Sequence, residues 1–115
     1  MRWFTSDFRA ARPDVVERVR SWVLANDPKS YGRCREILAT GVTELCHPEP
    51  PISKPTLVMT GENDSGSTPD MSHAIAAEIP GAETIIVPEI KHMGLLEHPA
   101  RYIAPIQGFL ERTLK

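Results

Sequence analysis

Apolar residues in the first forty positions recur at helical spacing. Val15, Val16, Val19, Trp22 and Val23 stand at i, i+1, i+4, i+7 and i+8, which puts them on one face of a helix. Pro13 suits the first turn, where its missing N–H has no intrahelical partner to lose. Asn26-Asp27-Pro28 stops this helix and starts another, with Asp27 as N-cap and Pro28 as the first helical residue. Tyr31, Cys34, Ile37 and Leu38 are expected to face inward from that second helix, and Gly41 to end it.

Between His47 and Pro55, four prolines in nine residues remove backbone donors and favour extended chain. This break is the expected boundary between a helical segment, residues 1–47, and a second segment, residues 48–115, of different pattern. Thr56-Leu-Val-Met-Thr60 is a continuous β-rich run of the kind buried on both faces of a parallel sheet. A turn-rich loop follows, and then Thr68-Pro69 caps a helix with Met71, Ala74, Ile75 and Ile79 on one stripe. Pro80-Gly81 ends it before a second β-run, Glu83-Thr-Ile-Ile-Val87. Strand, helix and strand make one βαβ unit, so the fold class is α/β. From Pro99 to the end, Tyr102, Ile103, Ile106, Phe109 and Leu110 keep helical spacing, with a kink or restart expected at Pro105.

Composition narrows the function classes. With 41% hydrophobic and 24% charged residues in 115, the chain has the makeup of an ordinary globular domain. A net charge of −2 argues against nucleic acid or an anionic membrane as partner, since both demand a basic surface. The start, Met1-Arg-Trp-Phe-Thr-Ser-Asp, has no signal-peptide pattern and no apolar run could span a bilayer, so a cytoplasmic address is expected. Cys34 and Cys46 fit neither a disulfide framework nor a zinc spacing. They are read as reduced thiols, Cys34 packed among apolar neighbours. His47, His73 and His98 are scattered, with His98 expected as a helix N-cap; no metal or organic cofactor is implied.

Candidate chemistry lies in the loops beyond the carboxyl ends of the two strands, where side chains from adjacent parallel strands converge. The first loop, Gly61 to Pro69, offers Asp64; the second, Pro88 to Gly94, offers His92. A carboxylate beside an imidazole fixes the ring's tautomer and stabilises the imidazolium formed when the ring takes a proton from a nucleophile. Either residue alone is an ordinary loop residue. Each just past its own strand, across one helix, they form a candidate pair.

The runs Thr-Leu-Val-Met-Thr-Gly-Glu-Asn-Asp, Ser-Thr-Pro-Asp-Met, Ile-Pro-Gly-Ala-Glu and His-Met-Gly-Leu-Leu-Glu-His-Pro resemble the end of the α/β-hydrolase fold, over roughly residues 50 to 115. The order of acid before histidine matches as well. The preceding helical segment, with Trp3-Phe4, looks like the cap region of enol-lactonase-like and esterase-like members. The resemblance implies a partial α/β-hydrolase fold, with two C-terminal parallel strands, flanking helices and N-terminal cap-like helices. It further implies Asp64 as triad acid, His92 as general base, and a small ester or lactone substrate of the 3-oxoadipate enol-lactone kind. Lys91 stands where the family commonly has glycine, and the acid turn is one residue longer than its commonest form.

The family's nucleophile occupies a Gly-x-Ser-x-Gly turn, and none of the seven serines lies in such a pattern. At roughly 30 residues per βαβ unit, an eight-stranded member with a cap takes on the order of 240 residues, about twice this length. Two expectations follow. One is an ester or lactone hydrolase whose serine lies in a part outside this sequence. The other is a non-catalytic remnant that self-associates, as a homodimer, through the exposed edge of strand 56–60.

Overall fold

The computed structural model describes residues 2 to 114. Its sheet has two parallel strands, β1 (Leu57–Gly61) and β2 (Glu83–Val87), in register from Leu57 opposite Glu83 to Gly61 opposite Val87. The helix between them, α4 (Pro69–Glu78), begins where Thr68 and Pro69 dictate: the Thr68 hydroxyl accepts from the Met71 N–H at 3.3 Å, and Pro69 sits in the first turn. Gly81, with φ of +78°, makes the left-handed turn into β2.

The N-terminal segment carries three helices, α1 (Ser6–Ala11), α2 (Pro13–Leu24) and α3 (Pro28–Thr40), followed by a 3-10 turn at Val42–Leu45. α2 and α3 begin at the prolines that the sequence indicates, and the Asp27 carboxylate accepts from the Ser30 N–H at 2.8 Å. α1 has no counterpart in the sequence reading, because six residues hold too few turns for a periodicity to register. From 46 to 56 the chain has neither helix nor strand. Beyond β2 come a short helix, α5 (Gly94–Glu97), and α6 (Pro99–Thr113). No helix among the described residues is long and apolar enough to cross a membrane.

The main core gathers Val87, Ile90 and Tyr102, with Met59, Ile85 and Ile106 packed around them. α6 runs from Pro99 to Thr113 through Pro105 without the restart that was one of the two outcomes expected there. Proline removes one internal hydrogen bond, but Tyr102 on one side and Ile106 on the other pack on the same core and hold the helix together across it. Phe4 is fully buried and stacks on Phe8, with ring centroids 5.4 Å apart. Burying such a side chain contributes about 1.5–3 kcal/mol.

The inward face expected of α3 is corrected by the structure. Tyr31, Cys34, Ile37 and Leu38 are all exposed, Ile37 and Leu38 to about two thirds. α3 packs chiefly on the 3-10 turn, so its apolar side meets no other element of consequence among the described residues. Trp22 is likewise exposed, and Val19 is the buried residue of α2. On α4 the stripe of Met71 and Ile75 faces outward, while Ser72 is buried and Ile79 closes the helix inside. Periodicity marks a helix's apolar face; a partner must still exist to cover it.

Candidate active site

Parallel pairing sends both strand-end loops to one side of the sheet. The turn after β1 is built by its own backbone and held to the second loop. Asn63 N donates to the Ile90 carbonyl at 2.9 Å, Glu62 N donates to the Val87 carbonyl at 2.9 Å, and the Glu62 carboxylate accepts from Glu89 N at 2.9 Å. Glu62 and Asn63 therefore bind the acid loop to the histidine loop. Gly61 has a stricter reason for being glycine. A Cβ there would stand 2.4 Å from the Ile90 carbonyl oxygen, so the backbones of the two loops approach through the space a side chain would fill.

Within that frame Asp64 is 7% exposed and its two oxygens have separate partners. Oδ1 accepts from the backbone N–H of Gly66 at 2.8 Å and of Ser67 at 3.0 Å. Oδ2 faces Nδ1 of His92 at 2.7 Å. Burial pushes the Asp64 carboxyl up, but the N–H groups of Ser67 and Gly66, followed by the His92 ring, together outweigh it and hold the group below its usual range. It is a carboxylate at neutral pH. An ionised carboxylate can only accept, so the ring proton of neutral His92 belongs on Nδ1 and Nε2 presents a lone pair. Nε2 has no hydrogen-bond partner among the described residues, and the His92 side chain is 44% exposed. Its ring borders a cavity of about 210 Å³ shared with Asp64, Arg2, Trp3, Ser65, Gly66 and Ser67. Chemically, such an arrangement can serve as an oriented base: a ring nitrogen with a free lone pair, on a residue that borders an open space, backed by a fixed negative charge.

The sequence-predicted pair is thus in direct contact. Missed in sequence is the opening segment. Trp3 places its ring 6.1 Å from that of His92, centroid to centroid. Thr5 bonds through both its N–H and its hydroxyl to Glu97, a buried carboxylate. No local signal joins positions so far apart in the chain; only the fold does. The remaining candidates lie elsewhere. His47 faces Glu78, with Nδ1 to Oε1 at 3.3 Å. His73 is exposed, and His98 occupies the N-cap position of α6 without a side-chain cap bond. Cys34, read as packed, is exposed, as is Cys46.

The architecture is that of the C-terminal portion of an α/β-hydrolase fold, with two parallel strands, their flanking helices and a helical segment before them. Among proteins of that fold the chain is similar to enol-lactonases and esterases. The enol-lactonase of Burkholderia xenovorans superposes over 96% of this chain with a TM-score of 0.82 and 28% identity. The (E)-2-((N-methylformamido)methylene)succinate hydrolase of Acinetobacter baylyi is 28% identical over 112 residues, or 97% of this chain. A pimeloyl-[acyl-carrier protein] methyl ester esterase of Nitrosospira multiformis is 28% identical over 109 residues. The chain spans 41% of the enol-lactonase and 42% and 35% of these two relatives. No family model matches it.

Proposed function

We propose that this chain supplies the acid and the general base of a triad that hydrolyses a small carboxylic ester or lactone, with the serine nucleophile carried by polypeptide outside these 115 residues. The observation that carries the reading is the bond from His92 Nδ1 to Asp64 Oδ2 at 2.7 Å, with the other carboxylate oxygen held by two backbone N–H groups. In this mechanism Nε2 removes the serine proton as the serine oxygen attacks the ester carbonyl. Asp64 stabilises the imidazolium that results. The imidazolium then gives its proton to the departing alkoxide or enolate oxygen as the carbon–oxygen bond breaks. Water, deprotonated by the same Nε2, then attacks the acyl carbon, and the imidazolium returns that proton to the serine oxygen as the acyl–serine bond breaks and the acid leaves. The likeness to an enol-lactonase supports a lactone of an enol as the substrate class.

The test is a fusion in which the N-terminal part of the Burkholderia enol-lactonase precedes this chain. The fusion is expected to hydrolyse a p-nitrophenyl ester, and the chain alone is not. A folded fusion without hydrolysis counts against the proposal.

A second reading, self-association through β1, is favoured by the direction of its backbone groups. Thr56 O accepts from Glu83 N and Glu62 N donates to Val87 O, so even-numbered residues of β1 face β2. Leu57 and Met59 therefore turn their N–H and C=O groups to the open edge. A two-fold dimer through this edge pairs β1 antiparallel with its copy. Leu57→Pro removes an edge donor without removing one from the β1–β2 ladder and is expected to convert a dimer to a monomer by light scattering. An unchanged mass would rule out this edge.

A further inference from the structure

Glu97 is a buried carboxylate with no part in the proton transfers above. It ends α5 at 6% exposure, and both of its oxygens are engaged. Oε1 accepts from the Thr5 N–H at 2.7 Å and Oε2 from the Thr5 hydroxyl at 2.8 Å. The same hydroxyl accepts from Phe8 N at 3.3 Å, so Thr5 caps α1 while it binds Glu97. A second bond runs alongside, from Met93 N to the Trp3 carbonyl at 3.0 Å. Residues 3 to 5 are therefore fixed at both ends to Met93–Glu97, the stretch that directly follows His92, with Phe4 buried between the two attachments. Trp3 then lies with its ring 6.1 Å from the His92 ring and tilted 40° to it.

We infer that Thr5 and Glu97 form a clamp that positions Trp3 against the imidazole of His92 and so fixes the ring's open flank. Glu97 is a positioning residue: it touches neither the imidazole nor the 210 Å³ cavity and acts through the Thr5 backbone and the indole. Asp64 sets the His92 ring from the Nδ1 side; Trp3 limits its sway from another. The role of the clamp in catalysis rests on the reading of His92 as general base, but its geometry can be tested without substrate. Two accepting oxygens meet two donors, so a side chain with an oxygen at the same place can preserve the contact while a truncated one leaves the Thr5 N–H without its partner.

The experiment is tryptophan fluorescence against pH in the whole chain carrying Trp22→Phe, so that Trp3 is the sole indole. Trp22 is 59% exposed and not part of the core. An imidazolium quenches a neighbouring indole, so protonation of His92 produces a step in Trp3 emission. Asp64 and Arg2 border the same cavity, and His92→Ala, which must abolish the step, separates the histidine from both. The step is expected to persist in Glu97→Gln and Thr5→Ser and to be lost in Glu97→Ala and Thr5→Val. In those last two the His92 ring should still titrate by proton NMR and amide dispersion should be retained. A full step in folded Glu97→Ala, or no step in the parent, overturns the clamp. Global unfolding of both Glu97→Ala and Thr5→Val also overturns it, because the bonds then hold the fold rather than the indole. Hydrolysis by the enol-lactonase fusion is a separate readout, so failure of the clamp and failure of the hydrolase reading are told apart.

Discussion

His92→Ala, placed in the enol-lactonase fusion, is expected to lower kcat by about 10⁴-fold or more, with KM changed little. The imidazole borders the cavity with a ring nitrogen that has no hydrogen-bond partner among the described residues, and in this mechanism it is the acceptor of the serine's proton. A loss of that size corresponds to about 5 kcal/mol of transition-state stabilisation. Residual hydrolysis would come from whatever holds the substrate carbonyl, a contribution that does not depend on His92. KM is insensitive because the ring moves a proton and does not grip the substrate. Stopped-assay rates with a p-nitrophenyl ester between neutral and mildly alkaline pH measure this directly. A variant within tenfold of its parent would show that some other group carries the proton.

Asp64→Asn is expected to lower kcat of the same fusion by about 10⁴-fold through a different cause. The substitution keeps size and shape but converts one oxygen to an amide nitrogen. The Oδ1 position accepts from Gly66 N and Ser67 N, so the asparagine oxygen must stay there. Its NH₂ is thereby forced to the Oδ2 position, where it donates to Nδ1 of His92. The ring then carries its proton on Nε2, the wrong nitrogen, and cannot act as base. Nitrogen-15 chemical shifts of His92 report the tautomer in the chain alone: protonated at Nδ1 in the parent, at Nε2 in the variant. An unchanged tautomer, or activity close to the parent's, contradicts this account. The two variants are coupled through one bond, so their effects are not expected to add.

What was legible in the sequence follows from which interactions are local. The β-runs around Val58 and Ile85, the Thr68-Pro69 and Asp27-Pro28 caps and the loop positions of Asp64 and His92 all depend on residues within a few positions of one another. The boundaries of β1 differ by one residue from the run Thr56 to Thr60, within the ordinary spread of strand ends. Pairing of the acid with the histidine was foreseeable because adjacent parallel strands leave their next loops side by side. The burial of Phe4 and the bonds from Thr5 to Glu97 depend on contacts 92 positions apart and leave no local trace. Outward exposure of Ile37, Leu38, Met71 and Ile75 was illegible for another reason. A hydrophobic stripe records a preference for cover without recording what supplies it. The helix does not restart at Pro105, because one lost hydrogen bond does not end a helix that packs on the core on both sides of it.

Gly61 also determines how far the crevice can be redesigned. Ser65 and Ser67 are exposed, and the loop contributes to Asp64 through main-chain N–H groups of Gly66 and Ser67, so the serine side chains can be exchanged to reshape the cavity wall while the carboxylate stays put. At Gly61 even one added carbon would stand 2.4 Å from the Ile90 carbonyl oxygen, so the backbones of the two loops must shift to admit it. The close approach of the two loops is thus written in a residue with no functional group at all, and a search for chemistry along the chain would pass over it.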